Sequence, residues 1–407
     1  MTNTRDARKL SLLLAVLVAL SPMATDAYLP AIPTMAEFFG VKVSYMETSI
    51  SIYILGLGVG LLLGGPLSDH FGRRRLSRIG IFVFLICCIG IIFAPSVPAI
   101  LGLRFFQAIG GGFVTVIGPA IVRDRFDGKE AARVFALVGL IMGIAPLVAP
   151  SLGSVILAFL GWQWIFVFIA VYALMLLLVI MPRLPERRHK PEEKLTVGGV
   201  IRDYIHIFRH RRALGYILAQ AFCVAVMFTF LTGSSFMYIT YFEVSESMFP
   251  VYFGANMVMA MVFNRLNPLL LNFLTPHQIM GIGLGIASTM MVLFVIFNLT
   301  GNARLELVFP LMIVGIGTMG LVGPNGMSCF MAFFPEKSGT ASGVLGTMQY
   351  FVGGALGSLG GLVNDGTLLP MSLVMATGAV VSVVSYLVLA GGPFHEPPVI
   401  RRSGEQG

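Results

Sequence analysis

Apolar stretches of about 20 residues recur along the whole chain, and each is long enough to cross a hydrocarbon core of about 30 Å. Lipid offers no hydrogen-bond partner to a free backbone group, so each crossing must be a helix. Only 11% of the 407 residues are charged. A soluble domain carries about 25%, so this chain has too few polar side chains to cover itself in water. The sequence therefore predicts an all-α membrane protein.

The apolar runs predict twelve transmembrane helices. The eighth span is the least regular, because polar residues and a proline interrupt it near its end. The predicted spans are 10–30, 46–66, 75–95, 97–121, 132–156, 163–182, 213–238, 248–270, 278–299, 305–332, 339–363 and 369–391.

The net charge of +8 does not indicate nucleic-acid binding, because the basic residues are placed as in a membrane protein. With twelve spans they fall almost entirely on one side, and the other side holds essentially Lys42 and Arg304. The positive-inside rule then places both termini in the cytoplasm. The basic clusters lie in the N-terminus, the 2–3 turn, the 4–5 turn and the segment 183–212.

The segment 183–212 is the one long polar interruption, with six predicted spans before it and six after it. It predicts a cytoplasmic linker between an N-terminal bundle, 1–182, and a C-terminal bundle with a short tail, 213–407. Two such halves are a recurrent plan of transporters. Part of the linker has apolar residues at helical spacing, which predicts an amphipathic helix on the membrane surface. These residues are Leu195, Val200, Ile201, Tyr204, Ile205 and Phe208.

The turn between the second and third spans, GGPLSDHFGRRR at 64–75, combines glycines, an acid and three arginines. It predicts a tight cytoplasmic hairpin held by charge, of the kind found in transporters that alternate between two shapes. Its candidate gate residues are Gly65, Asp69, Gly72, Arg73 and Arg74.

Asp26 lies near the outer end of the first span, between Pro22 and Pro30. A carboxylate in a span costs about 2.5–3.5 kcal/mol on insertion scales and is a functional-site hypothesis by default. The flanking prolines loosen the helix, which suits a group that exchanges protons with water. The alternative is an interfacial acid that only sets the depth of the helix.

Arg104, in the fourth span, must find an anion, a carbonyl group or water. Counting residues from the outer surface places it at a depth similar to that of Asp26, so the two could pair. The alternative is a structural arginine bonded to carbonyl groups of neighbouring helices. Gln107, one turn deeper, could extend either network. Glu47, at the mouth of the second span, reads mainly as an interfacial residue, with a role in gating as the lesser alternative.

The fifth span carries small residues and prolines on one stripe, which lets another helix approach closely. The stripe consists of Gly139, Gly143, Pro146, Pro150 and Gly153. Ordinary close packing is part of its role, and a sliding surface between the halves is the functional reading.

The second half has no carboxylate inside its predicted spans and is rich in Met and Phe. Such a wall adapts to varied amphipathic substrates. Candidate pocket residues from both halves are Tyr28, Tyr53, Met227, Phe228, Asn256, Asn325, Gln349 and Tyr350. Walker A, HExxH and GxSxG motifs are absent from the sequence, so we expect neither an enzyme nor an ATP-driven pump.

These motifs resemble the major facilitator superfamily. GGPLSDHFGRRR is similar to its 2–3 loop signature, RFFQAIGGG to its helix-4 motif, and GLIMGIAPLVAPSLG to the helix-5 motif of its drug–proton antiporters. DAYLPAIP, SIYILGLGVG and GWQWIF narrow the resemblance to the Bcr/CflA type of bacterial multidrug exporter. The resemblance implies that Asp69 and the arginines after it lock the cytoplasmic side. It also implies that Asp26 carries the proton or contacts substrate, and that Arg104 couples the two.

The expected function is proton-coupled export of small amphipathic compounds from the bacterial inner membrane, by a monomer that uses protons and no metal or other cofactor. Export of an endogenous metabolite such as a siderophore or amino acid would share every motif. A proton-coupled importer and a non-transporting receptor are the remaining alternatives.

Overall fold

The computed structural model describes residues 12–125, 128–183, 197–334, 338–363 and 365–394. All regular secondary structure in these ranges is helical, which confirms the all-α prediction for them. The basic N-terminus, most of the polar half of the linker (184–196) and the C-terminal tail (395–407) lie outside the described residues.

Six helices occupy the first part of the chain, and several extend beyond the predicted spans. The second, predicted over 46–66, continues through Pro66 as far as Phe71, where Gly72 (φ +88°) ends it. The helices are α1 (Leu12–Phe38), α2 (Val43–Phe71), α3 (Arg73–Ile92), α4 (Val97–Arg125), α5 (Gly128–Leu160) and α6 (Trp162–Arg183).

A short helix, Val197–Arg209, then forms what we call the linker helix, and six longer helices follow it. Several of them change geometry along their length; α7, for example, is α-helical over Arg211–Ser235 and π-helical over Phe236–Tyr241. The six are α7 (Arg211–Tyr241), α8 (Phe249–Leu270), α9 (Pro276–Leu299), α10 (Leu305–Met331), α11 (Ser338–Leu362) and α12 (Leu369–Ala390).

Nine of these helices, within the described residues, are long and apolar enough to cross a membrane. They are α1–α4, α6, α7, α9, α10 and α12. Helix α5 contributes a shorter apolar stretch, Ile144–Leu160. The chain is therefore a multi-span membrane protein, and the count of twelve spans stays a prediction.

The described residues fall into two compact units. The first draws on Met1–Leu195, Phe230–Gly254 and Gly357–Thr367. The second draws on Thr196–Thr229, Ala255–Leu356 and Leu368–Gly407. One end of α7 and one end of α11 thus belong with α1–α6.

Glycines set the packing of the first unit around α4. A Cβ on Gly60 would lie 2.6 Å from the carbonyl oxygen of Ile109 and 2.9 Å from the Cα of Gly112, so the backbones of α2 and α4 touch. Gly80 of α3 meets the carbonyl oxygen of Gly110 in the same way, at 2.6 Å. Close backbone approach of this kind is how small residues hold membrane helices together, since lipid provides little hydrophobic drive.

The second unit has an apolar core that the linker helix helps to cover. Ile207 is fully buried in it, and Tyr204 and Phe208 pack against it, whereas Ile205 is 48% exposed. Helix α9 lies against α10 and α12 and begins with a capping box formed by Thr275 and Gln278. The linker helix is therefore amphipathic, and part of its apolar face packs on protein.

Candidate functional site

Asp26 lies where the regular α-helical pairing of α1 is interrupted. The α-helical segment Leu20–Asp26 ends at this residue, and a tight 3₁₀ turn, Leu29–Ala31, follows with Pro30 inside it. The Asp26 side chain is 5% exposed. The break arises because proline has no N–H to continue the helical ladder. Backbone groups next to Asp26 are thereby released from regular pairing.

Arg104 of α4 is fully buried and ties α4 to two neighbours. Its Nη1 donates to the carbonyl oxygen of Ala24 in α1 (3.1 Å) and to Oε1 of Gln107 (2.8 Å). Gln107 in turn donates to Sγ of Cys88 in α3 (2.9 Å). The predicted network of Arg104 and Gln107 therefore exists and joins α1, α3 and α4.

Two tyrosine rings enclose the Arg104 guanidinium group. Its central carbon lies 4.4 Å from the ring centre of Tyr28 in α1 and 4.1 Å from that of Tyr53 in α2. The Tyr28 hydroxyl is hydrogen-bonded to Oγ of Ser49 (2.9 Å), which fixes its ring. A buried cation over aromatic rings is held by cation–π attraction. Both tyrosines were predicted as pocket residues from sequence, and in the structure they contact the arginine.

Arg104 and Asp26 are neighbours that do not touch. Within the described residues no ion pair of 4.0 Å or less joins them. Arg104 is instead bonded to the carbonyl two residues earlier. Its Nε and Nη2 atoms are buried and have no hydrogen-bond partner in the described part of the chain. The arginine thus retains donors that an anionic group could occupy.

The α5 stripe meets α1 beside Asp26. A Cβ on Gly153 would overlap the carbonyl oxygen of Ala27, so only glycine permits this approach. Pro146 and Pro150 lie inside the same helix, which continues past both. The surroundings of Gly139 and Gly143 lie outside the described residues, although the helix backbone runs through both.

The 2–3 turn joins α2 to α3 at Gly72. Gly72 adopts a positive φ that separates α2 from α3, and Arg73 after it is buried. Nη2 of Arg74 donates to the carbonyl oxygen of Pro182 at the end of α6 (3.0 Å). Gly65 has no described atom within 4 Å of the place where a Cβ would stand. The side chain of Asp69 lies outside the described residues, so its partners stay a prediction.

Three of the predicted pocket residues of the second unit have described contacts. The rings of Phe228 and Tyr350 lie 5.3 Å apart, and Phe228 packs over Gly353. Nδ2 of Asn325 donates to Oδ1 of Asn267 (2.6 Å). Asn256 is fully buried, and Met227 and Gln349 are partly buried.

Glu47 was predicted mainly as an interfacial residue, with a role in gating as the lesser alternative. The structure buries this residue to 1% exposure and makes it the acceptor for the backbone N–H of Phe236 (2.8 Å). The signal available in the sequence was a polar stripe at helical spacing on α2, formed by Ser44, Glu47, Thr48 and Ser51.

The described residues hold no group of three or more His, Cys, Asp or Glu side chains that could bind a metal ion. Cys87, Cys88, Cys223 and Cys329 are all buried. The charged groups of the candidate site are a buried carboxyl group and a buried guanidinium group.

The helical fold and the charges buried in its apolar helices define a membrane transport protein. The chain belongs to the major facilitator superfamily, whose family profile matches residues 14–358. It is 28% identical over 384 residues to a bicyclomycin resistance protein homolog of Haemophilus influenzae, covering 93% of this chain and 95% of the relative.

Two further proteins are similar. The multidrug transporter MdfA of Yersinia pestis is 28% identical over 278 residues, which is 66% of this chain and 68% of the relative. The crystal structure of a D-xylose–proton symporter superposes with a TM-score of 0.73 over 98% of this chain and 100% of the other, at 14% identity. That likeness concerns the fold alone.

Proposed function

We propose that this protein is a proton-coupled exporter of small amphipathic compounds in the bacterial inner membrane. The observation that carries the proposal is Asp26, a buried carboxyl group at a break in α1, with the buried cation Arg104 beside it. Relatives named for bicyclomycin resistance and multidrug transport support export of toxic compounds.

In this proposal the protein has twelve spans, which form bundles over 1–182 and 213–407, and both termini lie in the cytoplasm. It acts as a monomer, and its partners are the substrate, protons and lipid. The proton is the coupling ion, and no other cofactor is required. Substrate contacts would come from the tyrosines beside Arg104.

In the proposed cycle, Asp26 binds either a proton or substrate. Protonation from the outside neutralises the carboxyl group, weakens its attraction to Arg104 and favours release of substrate. Deprotonation to the cytoplasm restores the attraction and the capacity to bind. A tenfold proton ratio supplies about 1.4 kcal/mol, and each net charge moved adds about 2.3 kcal/mol per 100 mV. One proton can therefore sustain an appreciable outward gradient of substrate.

The test is Asp26→Asn in everted membrane vesicles, with bicyclomycin and a lipophilic fluorescent dye as probes. We expect transport driven by an imposed pH gradient to be lost, because the amide cannot release a proton. Glu37→Gln is the matched control, since Glu37 is an exposed acid in the same helix. This variant should transport at the wild-type rate. Transport by Asp26→Asn at the wild-type rate would rule out the proposed coupling.

A further inference from the structure

The α2 polar stripe, Ser44, Glu47, Thr48 and Ser51, faces α7 and α11. Oγ of Ser51 is hydrogen-bonded to Oγ1 of Thr232 in α7 (3.1 Å), and both residues are buried. Gly361 of α11 packs on Ser44 and Thr48. A Cβ at this glycine would lie 3.3 Å from the Ser44 carbonyl oxygen and 3.5 Å from the Thr48 hydroxyl group. The stripe is therefore an internal surface.

Glu47 makes the most unusual contact of this stripe. Its Oε1 accepts the N–H of Phe236, the residue at which α7 changes from α- to π-helical pairing. Where the pairing register of a helix changes, a backbone group can take a side-chain partner, and such sites are often functional. A buried carboxyl group costs free energy in a membrane protein, and packing alone does not explain its presence.

The rest of this end of α7 is held by polar contacts as well. Oγ of Ser235 donates to the carbonyl oxygen of Leu29 in α1 (2.6 Å). In the segment after α7, Oε1 of Glu246 accepts from Oγ1 of Thr34 in α1 (2.9 Å). The carbonyl oxygen of Glu246 accepts from Oγ of Ser154 in α5 (2.9 Å). The end of α7 and the segment after it are thus fastened to α1, α2 and α5.

Polar contacts suit a junction that must open and close. When such a junction opens, water replaces the lost hydrogen bonds, so the net change in free energy is small. An apolar junction of the same area would expose its whole surface to water. The buried acceptor Glu47 is different, because its bond to Phe236 is shielded from water while the junction is closed.

We propose that Glu47 is a positioning residue that latches the end of α7 to α2 by accepting the Phe236 N–H, and that this latch opens once in every transport cycle. This inference rests on the proposed function, because only a transporter needs the junction to open. The charge pattern assigns this end of the helices to the outside of the membrane. The latch acts through its acceptor oxygen, so glutamine should replace glutamate.

The experiment measures closure by cross-linking, without substrate and without a proton gradient. The four native cysteines are replaced by alanine, and Thr34→Cys and Glu246→Cys are added, because these side chains touch in the closed junction. A short bifunctional thiol reagent then links them in membranes. The variants compared are Glu47→Leu and Glu47→Gln, with Glu37→Leu as the control at an exposed acid.

We expect Glu47→Leu to lower the ratio of linked to unlinked protein by about fivefold, as the loss of one typical hydrogen bond would. Glu47→Gln and Glu37→Leu should match the parent. The proposal is overturned if Glu47→Leu links like the parent, if Glu47→Gln loses as much as Glu47→Leu, or if Glu37→Leu loses as much.

A second variant covers the case in which Glu47→Leu aggregates on size exclusion. Glu47→Asp keeps the carboxyl group but is one methylene too short to reach Phe236, so it should lower linking as well, and linking at the parent level would refute the latch. Because the readout uses neither substrate nor protons, transport by Asp26→Asn at the wild-type rate would overturn the proposed coupling and leave this result standing.

Discussion

At the scale of single residues, Arg104 is held by contacts with three helices. Its central carbon lies over tyrosine rings from α1 and α2, and its Nη1 donates to Ala24 and Gln107. A guanidinium group suits this place because it is planar, always charged and weakly hydrated. The rings hold the cation while its remaining donors stay available to an anion.

The ring of Tyr53 provides one direct test of this arrangement. Tyr53→Leu removes an aromatic face from a desolvated cation, which should cost about 2 kcal/mol and lower both the melting temperature and the efflux rate. Tyr53→Phe keeps the face and should retain most of both. Thermal melting in detergent and initial efflux rates provide the measurements. Equal losses in the two variants would show that the hydroxyl group matters and the ring does not.

Asp26 and Arg104 could be selected from the sequence because a charge in an apolar run stands out. The roles of Tyr28 and Tyr53 could not, because aromatic residues in membrane spans usually pack against lipid or protein. Glu47 was undervalued for a related reason. An acid near the end of a span has the same sequence signature whether it faces water or another helix.

At the scale of helices, the contact between α1 and α5 shows how small residues place a functional group. Gly153 brings the α5 backbone against the carbonyl of Ala27, directly after Asp26. Any side chain at this position would push α1 away and move the carboxyl group. The small-residue stripe therefore has a positional role as well as a packing role.

Gly153→Ala should destabilise the protein by about 1–3 kcal/mol, the usual cost of overpacking, and should slow transport because Asp26 is displaced. Gly102→Ala is the matched control, since no described atom lies within 4 Å of its Cβ position and alanine favours a helix. Melting temperatures from size-exclusion profiles of heated samples compare the two. A Gly153→Ala protein as stable as the Gly102→Ala protein would contradict this reading of the contact.

The existence of the helices follows from the apolar runs, whereas their ends do not. Apolar composition marks only the part of a helix that lies in lipid. Helix α2 continues to Phe71 because its backbone ladder remains intact until Gly72 adopts a positive φ. The change to π-helical pairing at Phe236 has no apolar signature, because it depends on the partners that α7 meets.

At the scale of the whole molecule, the distribution of charge predicts the orientation in the membrane. Basic residues surround the α2–α3 turn, whereas the α9–α10 turn holds only Arg304. Cytoplasmic loops retain Lys and Arg during insertion, so the first turn should face the cytoplasm and the second the outside.

Cysteine labelling tests this orientation. In a protein without native cysteines, Asn302→Cys in the α9–α10 turn should react with an impermeant maleimide in intact spheroplasts. Arg75→Cys in the α2–α3 turn should react only after the membrane is permeabilised. Both positions are exposed, so accessibility to the reagent reports sidedness. The reverse pattern would invert the proposed topology and the direction of transport.

The sequence by itself determined that this is a helical membrane protein of the major facilitator superfamily with a carboxyl group in its first span. It could do so because hydropathy, charge bias and motifs are local properties of the chain. Partition into lipid acts on each segment separately, so no knowledge of packing is needed to infer it.

Only the tertiary structure decided which groups meet. Arg104 donates to the Ala24 carbonyl oxygen and contacts two tyrosine rings, and it makes no direct bond to Asp26. Glu47 accepts the backbone N–H of a residue 189 positions away. These contacts depend on how closely the helices approach, which glycines such as Gly153 set by the absence of a side chain. Distances of this kind arise from the packing of all the helices together, and a single segment does not contain them.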